Sequence, residues 1–245
     1  MELANACELY RDSGLFGQPA NSVTSLAFVV CGVAIAADWK RTCRRSPYAL
    51  LVIAVGAGSL VQHGPNPDWQ AYAHDLPLAT LLAYVAVDAA SDVLRRDVSA
   101  AWWLAVPVAM IPIVAVGPTV SSITQGALGA VAVGFNLLRA RRRPRLRSTL
   151  IGSMMVLGAG ALVGTISDRT SLCQPSSLVQ GHAFWHVMAA LALWLLAPAI
   201  GRRVGSSAAM PAEPEARRLA RPDLSRVGKP VRPTTPPLPD RRPTG

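Results

Sequence analysis

The stretch GHAFWHVMAALALWLL, residues 181–196, sets two histidines one helical turn apart at the head of an otherwise apolar run. Continued to Ile200, the run approaches the roughly 20 apolar residues that a helix needs to cross a bilayer. Six windows upstream read the same way: Val23–Asp38, Tyr48–Gln62, Leu76–Leu94, Ala100–Val116, Val120–Leu138 and Thr149–Ile166, with His182–Ile200 as the seventh. The expected fold is therefore an all-α membrane protein, a bundle of seven transmembrane helices. Only Gly117–Thr119 separates the fourth window from the fifth, which suits a tight helical hairpin and would also suit one broken helix.

Composition agrees with that class. Of 245 residues, 51% are hydrophobic, yet 16% are charged and the formal net charge is +10, so charge and apolar mass must be segregated. Basic residues sort to alternate sides of the windows, fourteen in one set of connections against Arg11 and Arg169 in the other. By the positive-inside rule, the N-terminus faces outward and the C-terminus the cytoplasm. The N-terminal residues lack the basic-then-apolar pattern of a signal peptide, so the first helix is expected to be retained. Residues 1–203 read as the membrane domain. Residues 204–245, rich in Pro and Arg and without apolar periodicity, read as a disordered cytoplasmic tail. The basic loops and tail are read as an orientation signal attracted to anionic lipid headgroups, with no nucleic-acid partner expected.

All four histidines, His63, His74, His182 and His186, fall at the outward ends of the second, third and seventh windows. Ionisable groups at membrane depth are costly, so a functional role is the first hypothesis for them. The i, i+4 spacing of His182 and His186 puts them on one helical face about 6 Å apart, able to share a metal; interfacial histidines bonded to loops would show the same spacing. His63 adds a third imidazole, and three imidazoles with an open fourth position make a catalytic zinc arrangement. His74 is either a further ligand or an outer residue. Asp75 is suited to taking and returning a proton, and equally to capping the third helix. Ser59, one turn below His63, is suited to steadying an oxyanion, or to back-bonding within its own helix. Asp88 and Asp92 read as an interfacial charge cluster with Arg95 and Arg96, or as part of a cation path. Cys7 and Cys173 both lie in outward segments, where they can oxidise to a disulfide or remain as two thiols, whereas Cys31 and Cys43 lie in the first helix and a cytoplasmic loop.

Three ordered blocks, GAGSLVQH ending at His63, HD at His74–Asp75 and HAFWH at His182–His186, with an early CE and PANSVTSLAFVVCG from Pro19, resemble the alkaline ceramidases. These belong to a superfamily of seven-helix membrane hydrolases that includes adiponectin-receptor-like proteins. The resemblance spans most of residues 7–200. It implies zinc held by His63, His182 and His186, with Asp75 shuttling a proton to the departing amine and Ser59 beside the reacting carbonyl. It also implies a Cys7–Cys173 disulfide, and an apolar interior holding the acyl chain of a ceramide or related N-acyl lipid. The same family carries calcium near an N-terminal DWCE; here the stretch is NACELYRDSG, and Gln18 stands near the place of another acid. Glu8, with Asn5 or Asp12, leaves too few anionic oxygens, so calcium is not an expected cofactor.

The expected function is thus a zinc-dependent integral membrane amidase. Its expected location is a bacterial plasma membrane, by the Arg- and Ala-rich style of the chain, with the site toward the outer face. The alternative is a receptor-like or lipid-sensing seven-helix protein with a structural zinc. A transporter would need ionisable residues continuing through the second and seventh helices, and a retinal protein would need a lysine in the seventh; neither is present.

Overall fold

The computed structural model describes residues 7–11, 15–37, 46–171 and 173–202, and these are helices and short connections without a strand. The helices are α1 (Pro19–Ala37), α2 (Ser46–His63), α3 (Gln70–Leu94), α4 (Ala101–Leu104), α5 (Val106–Val116), α6 (Pro118–Arg142), α7 (Pro144–Arg169) and α8 (Gly181–Leu196). Four of them, α1, α3, α6 and α7, are long and apolar enough to cross a membrane. The tail from residue 204, Cys43, Asn5 and Asp12 lie outside the described residues.

Prolines and one glycine set most of the breaks. Pro107 has no N–H for the carbonyl of Trp103, so the fourth window is not one helix but is interrupted at Ala105. Gly117, with φ 143° and ψ 168°, separates α5 from α6 in a conformation open to glycine alone, and Pro118 then starts α6 where its missing N–H costs nothing. Pro144 starts α7 in the same way. The arginine-rich stretch expected as a loop is consequently helical on both sides of Arg143, with α6 extended past Leu138 to Arg142. At α8 the helix ends at Leu196 rather than Ile200, and a turn follows. Six helices pack in a closed sequence: α1 on α2, α2 on α3, α3 on α6, α6 on α7, α7 on α8 and α8 back on α1, with α4 and α5 laid against α3.

Close approaches hold this ring. A Cβ on Gly58 would lie 2.0 Å from the Ala73 carbonyl oxygen, so α2 touches the α3 backbone beside His74. On Gly160 a Cβ would lie 2.5 Å from Met188, bringing α7 and α8 together. Tyr48, fully buried in α2, donates to the Leu193 carbonyl of α8 across the interior at 2.7 Å. Burial is partly inverted relative to a water-soluble protein. Val108, Ile123 and Met155 are more than two-thirds exposed, while Gln18, Asn21, Ser25, Ser59, His63 and His186 are nearly or wholly buried. Apolar side chains outside and polar ones inside suit helices whose surroundings are lipid.

Candidate metal centre

Helix ends supply the centre. His63 closes α2, while His182 and His186 occupy the first two turns of α8. Their rings form a nearly equilateral triangle, with centroids 5.1 Å apart for His63–His182, 5.0 Å for His63–His186 and 4.7 Å for His182–His186. One nitrogen from each lies within 4.8 Å of the others, close enough for one metal ion to be held by all three.

Groups behind each ring decide which nitrogen faces inward. Gln18 gives its amide N–H to the Glu8 carbonyl at 2.7 Å, which turns its own Oε1 toward His63. His63 Nδ1, 2.6 Å from that oxygen, is therefore the donor, and its Nε2 carries the lone pair. That Nε2 is buried without a hydrogen-bond partner among the described residues. In His186, Nδ1 lies 3.2 Å from the Asn21 carbonyl, which can only accept, so Nε2 is again the free ligand atom. His182 turns Nδ1 toward the Asp168 carboxylate at 3.5 Å. A carbonyl or carboxylate behind each ring is the arrangement that fixes the tautomer of metal-binding histidines. The buried, unpartnered Nε2 of His63 shows that the donor set fits a metal better than it fits an internal hydrogen-bond network.

Ser59 belongs to this centre. Its Oγ is buried, 3.4 Å from His186 Nε2 and 2.9 Å from Ser25 Oγ. Since Ser25 donates to the Asn21 carbonyl at 2.7 Å, Ser59 is the donor between the two hydroxyls. Phe28 sets its ring edge-on to His186, with centroids 5.9 Å apart. Asn21, Thr24 and Ser25 carry no role in the sequence analysis, where Gln18 enters only as a residue near the place of a calcium-binding acid. The signal for them was present, because small polar residues in an apolar helix at spacings of three and four mark one inward face.

Asp75 is positioned differently. Because α3 begins at Gln70 after Trp69, with no side-chain cap, Asp75 lies inside the helix and the capping reading is overturned. One oxygen pairs with His74 Nδ1 at 2.7 Å and the other accepts from Ser121 Oγ of α6 at 2.5 Å. His74 is thus a partner of Asp75 and lies outside the three-histidine group.

Cys7 and Cys173 form a disulfide with Cα atoms 5.5 Å apart. The bond joins the segment before α1 to the connection before α8, and Leu9 N–H donates to the Pro175 carbonyl beside it at 2.9 Å. Cys7 N–H also donates to Asp168 at 3.3 Å, through the oxygen that does not face His182. Glu8 caps α1, accepting from the N–H groups of Ala20 and Asn21 at 2.8 and 2.9 Å.

At the opposite helix ends, Asp88 and Asp92 of α3 form ion pairs with Arg139 of α6 and with Arg143, the residue between α6 and α7. The cluster was expected, but Arg95 and Arg96, named as its cations, are exposed, while Arg139 and Arg143 supply the pairing guanidinium groups. Compared with known proteins, the sequence matches no protein-family model, and no curated protein matches it significantly.

Proposed function

We propose that the chain is a seven-span membrane protein whose three histidines hold zinc for hydrolysis of the amide bond of a ceramide or related N-acyl lipid. The observation that carries this reading is the convergence of three imidazoles, each backed by an acceptor behind Nδ1, on a point where His63 Nε2 has no partner among the described residues. When bound, zinc supplies Lewis-acid polarisation of a carbonyl and makes water a nucleophile at neutral pH. Everything else falls to the chain. Gln18, Asn21 and Asp168 orient the three rings, and Ser59, by turning its one O–H away from Ser25, gives it to the oxygen that gains charge as the amide carbon becomes tetrahedral. Hydrolysis adds a hydroxyl to the acyl carbon and a proton to the nitrogen as the C–N bond breaks. Asp75, fixed by His74 and Ser121, is assigned the transfer of that proton.

Fourteen basic residues in one set of connections against two in the other support an outward N-terminus, with the histidine centre toward the outer leaflet. A reporter fused after Gly245 and active only outside the cytoplasm would reverse that orientation.

One observation favours a second reading, a lipid-sensing protein with a structural zinc: both Asp75 oxygens are engaged by His74 and Ser121 rather than by the histidine triangle. Zinc content and fatty-acid release from a panel of N-acyl lipids separate the two, with His186→Ala and Asp75→Ala compared with the unaltered chain. The hydrolase reading expects stoichiometric zinc lost only in His186→Ala and release abolished in both variants. Zinc without release from any lipid supports the sensor, and no zinc overturns both.

A further inference from the structure

A cavity of about 290 Å³ opens between the ends of α3 and α6, lined by Asp92, Val93, Arg95, Arg139, Arg142 and Arg143. Four guanidinium groups around one carboxylate would repel one another unless some are neutralised, and the hydrogen bonds show which. Arg139, 1% exposed, gives Nε to Asp92, Nη1 to Asp88, and Nη2 to the carbonyls of Ala199 and Arg202. Arg143 gives Nε and Nη2 to Asp92. These two arginines are committed to the protein and form the floor.

The other two are not. Arg142 gives one N–H to the Val93 carbonyl at 2.5 Å, leaving the rest of its fork open. Arg95 makes no side-chain hydrogen bond or ion pair among the described residues. Its backbone is left-handed, φ 55° and ψ 31°, at the C-cap of α3. Glycine ordinarily takes that position without strain, so an arginine there holds a planar cation at the cavity mouth against the local backbone preference. Both lining helices are long and apolar enough to cross a membrane, and the cavity lies at their basic ends, the level at which lipid phosphates stand if they do cross.

We propose that this cavity binds a phosphate group, gripped by Arg95 and Arg142 over the Arg139–Asp92–Arg143 floor. Guanidinium forks match phosphate oxygens in pairs, whereas the compensated floor fixes the cavity without competing for the anion. The phosphate comes either from an anionic phospholipid or from solution. The inference is independent of the metal centre, which lies at the opposite helix ends.

The test uses the full chain in detergent, titrated with phosphatidylglycerol and followed by native mass spectrometry, with a parallel titration of inorganic phosphate by calorimetry. One equivalent of lipid is expected to remain bound, with affinity reduced about tenfold or more in Arg95→Gln/Arg142→Gln and unchanged in Arg141→Gln, whose position does not line the cavity. Arg95→Gly relieves the left-handed backbone, so it is expected to keep or raise the melting temperature while losing affinity, which separates binding from folding. Inorganic phosphate bound with the same variant dependence, without lipid, supports the site and identifies a soluble source. Binding of neither ligand, or equal weakening by Arg141→Gln, overturns the proposal.

Discussion

The two ends of the bundle bury polar groups in opposite ways. At the arginine end, Arg139 reaches two carboxylates and two carbonyls, and Asp92 accepts from two guanidinium groups. At the histidine end, three rings converge with their Nδ1 atoms engaged behind them, and His63 Nε2 has no hydrogen-bond partner among the described residues. The buried Arg139–Asp92–Arg143 cluster of the first end is saturated, beside the open forks of Arg95 and Arg142, and the buried rings of the second are prepared but incomplete. A buried group costs about 1–3 kcal/mol when its hydrogen-bonding capacity is unmet, so the incomplete end carries a penalty that a bound ion would remove. Saturation marks a joint between helices, and incompleteness marks a place for a ligand.

Five substitutions break or sharpen that contrast. Arg139→Met leaves Asp88 and the floor of the cavity without their principal cation, and loss of one partner from a buried pair costs about 3–5 kcal/mol. The expected outcome is a chain that loses its folded peak in size-exclusion chromatography or melts far below the parent. Gln18→Leu and Asp168→Ala remove groups behind metal-facing rings, for which a 10–100-fold loss of metal affinity is the expected order of magnitude. Zinc competition against a chelator measures it, and a fall in melting temperature as large as that of Arg139→Met would erase the difference between the ends. Gly58→Ala places a methyl group 2.0 Å from the Ala73 carbonyl oxygen, forcing α2 and α3 apart. Overpacking of this kind costs roughly 1–3 kcal/mol, visible as a lower melting temperature, and disturbs Ser59 as its neighbour. Tyr48→Phe, in the first turn of α2 and far from His63, removes one hydrogen bond from α2 to α8 and is expected to cost about 1 kcal/mol without changing metal content.

Much of this was legible before any coordinates. Apolar windows located all the long helices, and the placement of His63, His182 and His186 at window ends brought out the triangle. What escaped has particular physical causes. The last turn of α6 carries Arg139, Arg141 and Arg142, so average hydropathy ends it too early, while the capacity of arginine to continue a helix goes unregistered. Arg139 lies 47 residues from Asp92, and no local pattern pairs them, whereas Arg95 and Arg96, near in sequence, are exposed. Gln18, just before α1, and Asn21 and Ser25 within it act through hydrogen bonds that cross to α2 and α8, so their role needs three helices in place to be seen. Asp75 was recognised as an unusual acid, but Ser121, which donates to its second oxygen, lies 46 residues away in the fifth apolar window, where no local pattern pairs the two.

The disulfide also sets an order of events during synthesis. Cys7 leaves the ribosome 166 residues before Cys173, so its thiol has no partner until every helix except α8 has been made. The bond sits beside Glu8, whose carbonyl turns Gln18 toward His63, and beside the Cys7 N–H that meets Asp168 behind His182. Two of the three imidazoles therefore receive their final orientation only as the last helix is delivered and the cysteines are oxidised. A newly made chain would pass through an interval in which its helices are inserted while its metal-binding geometry is still unfinished.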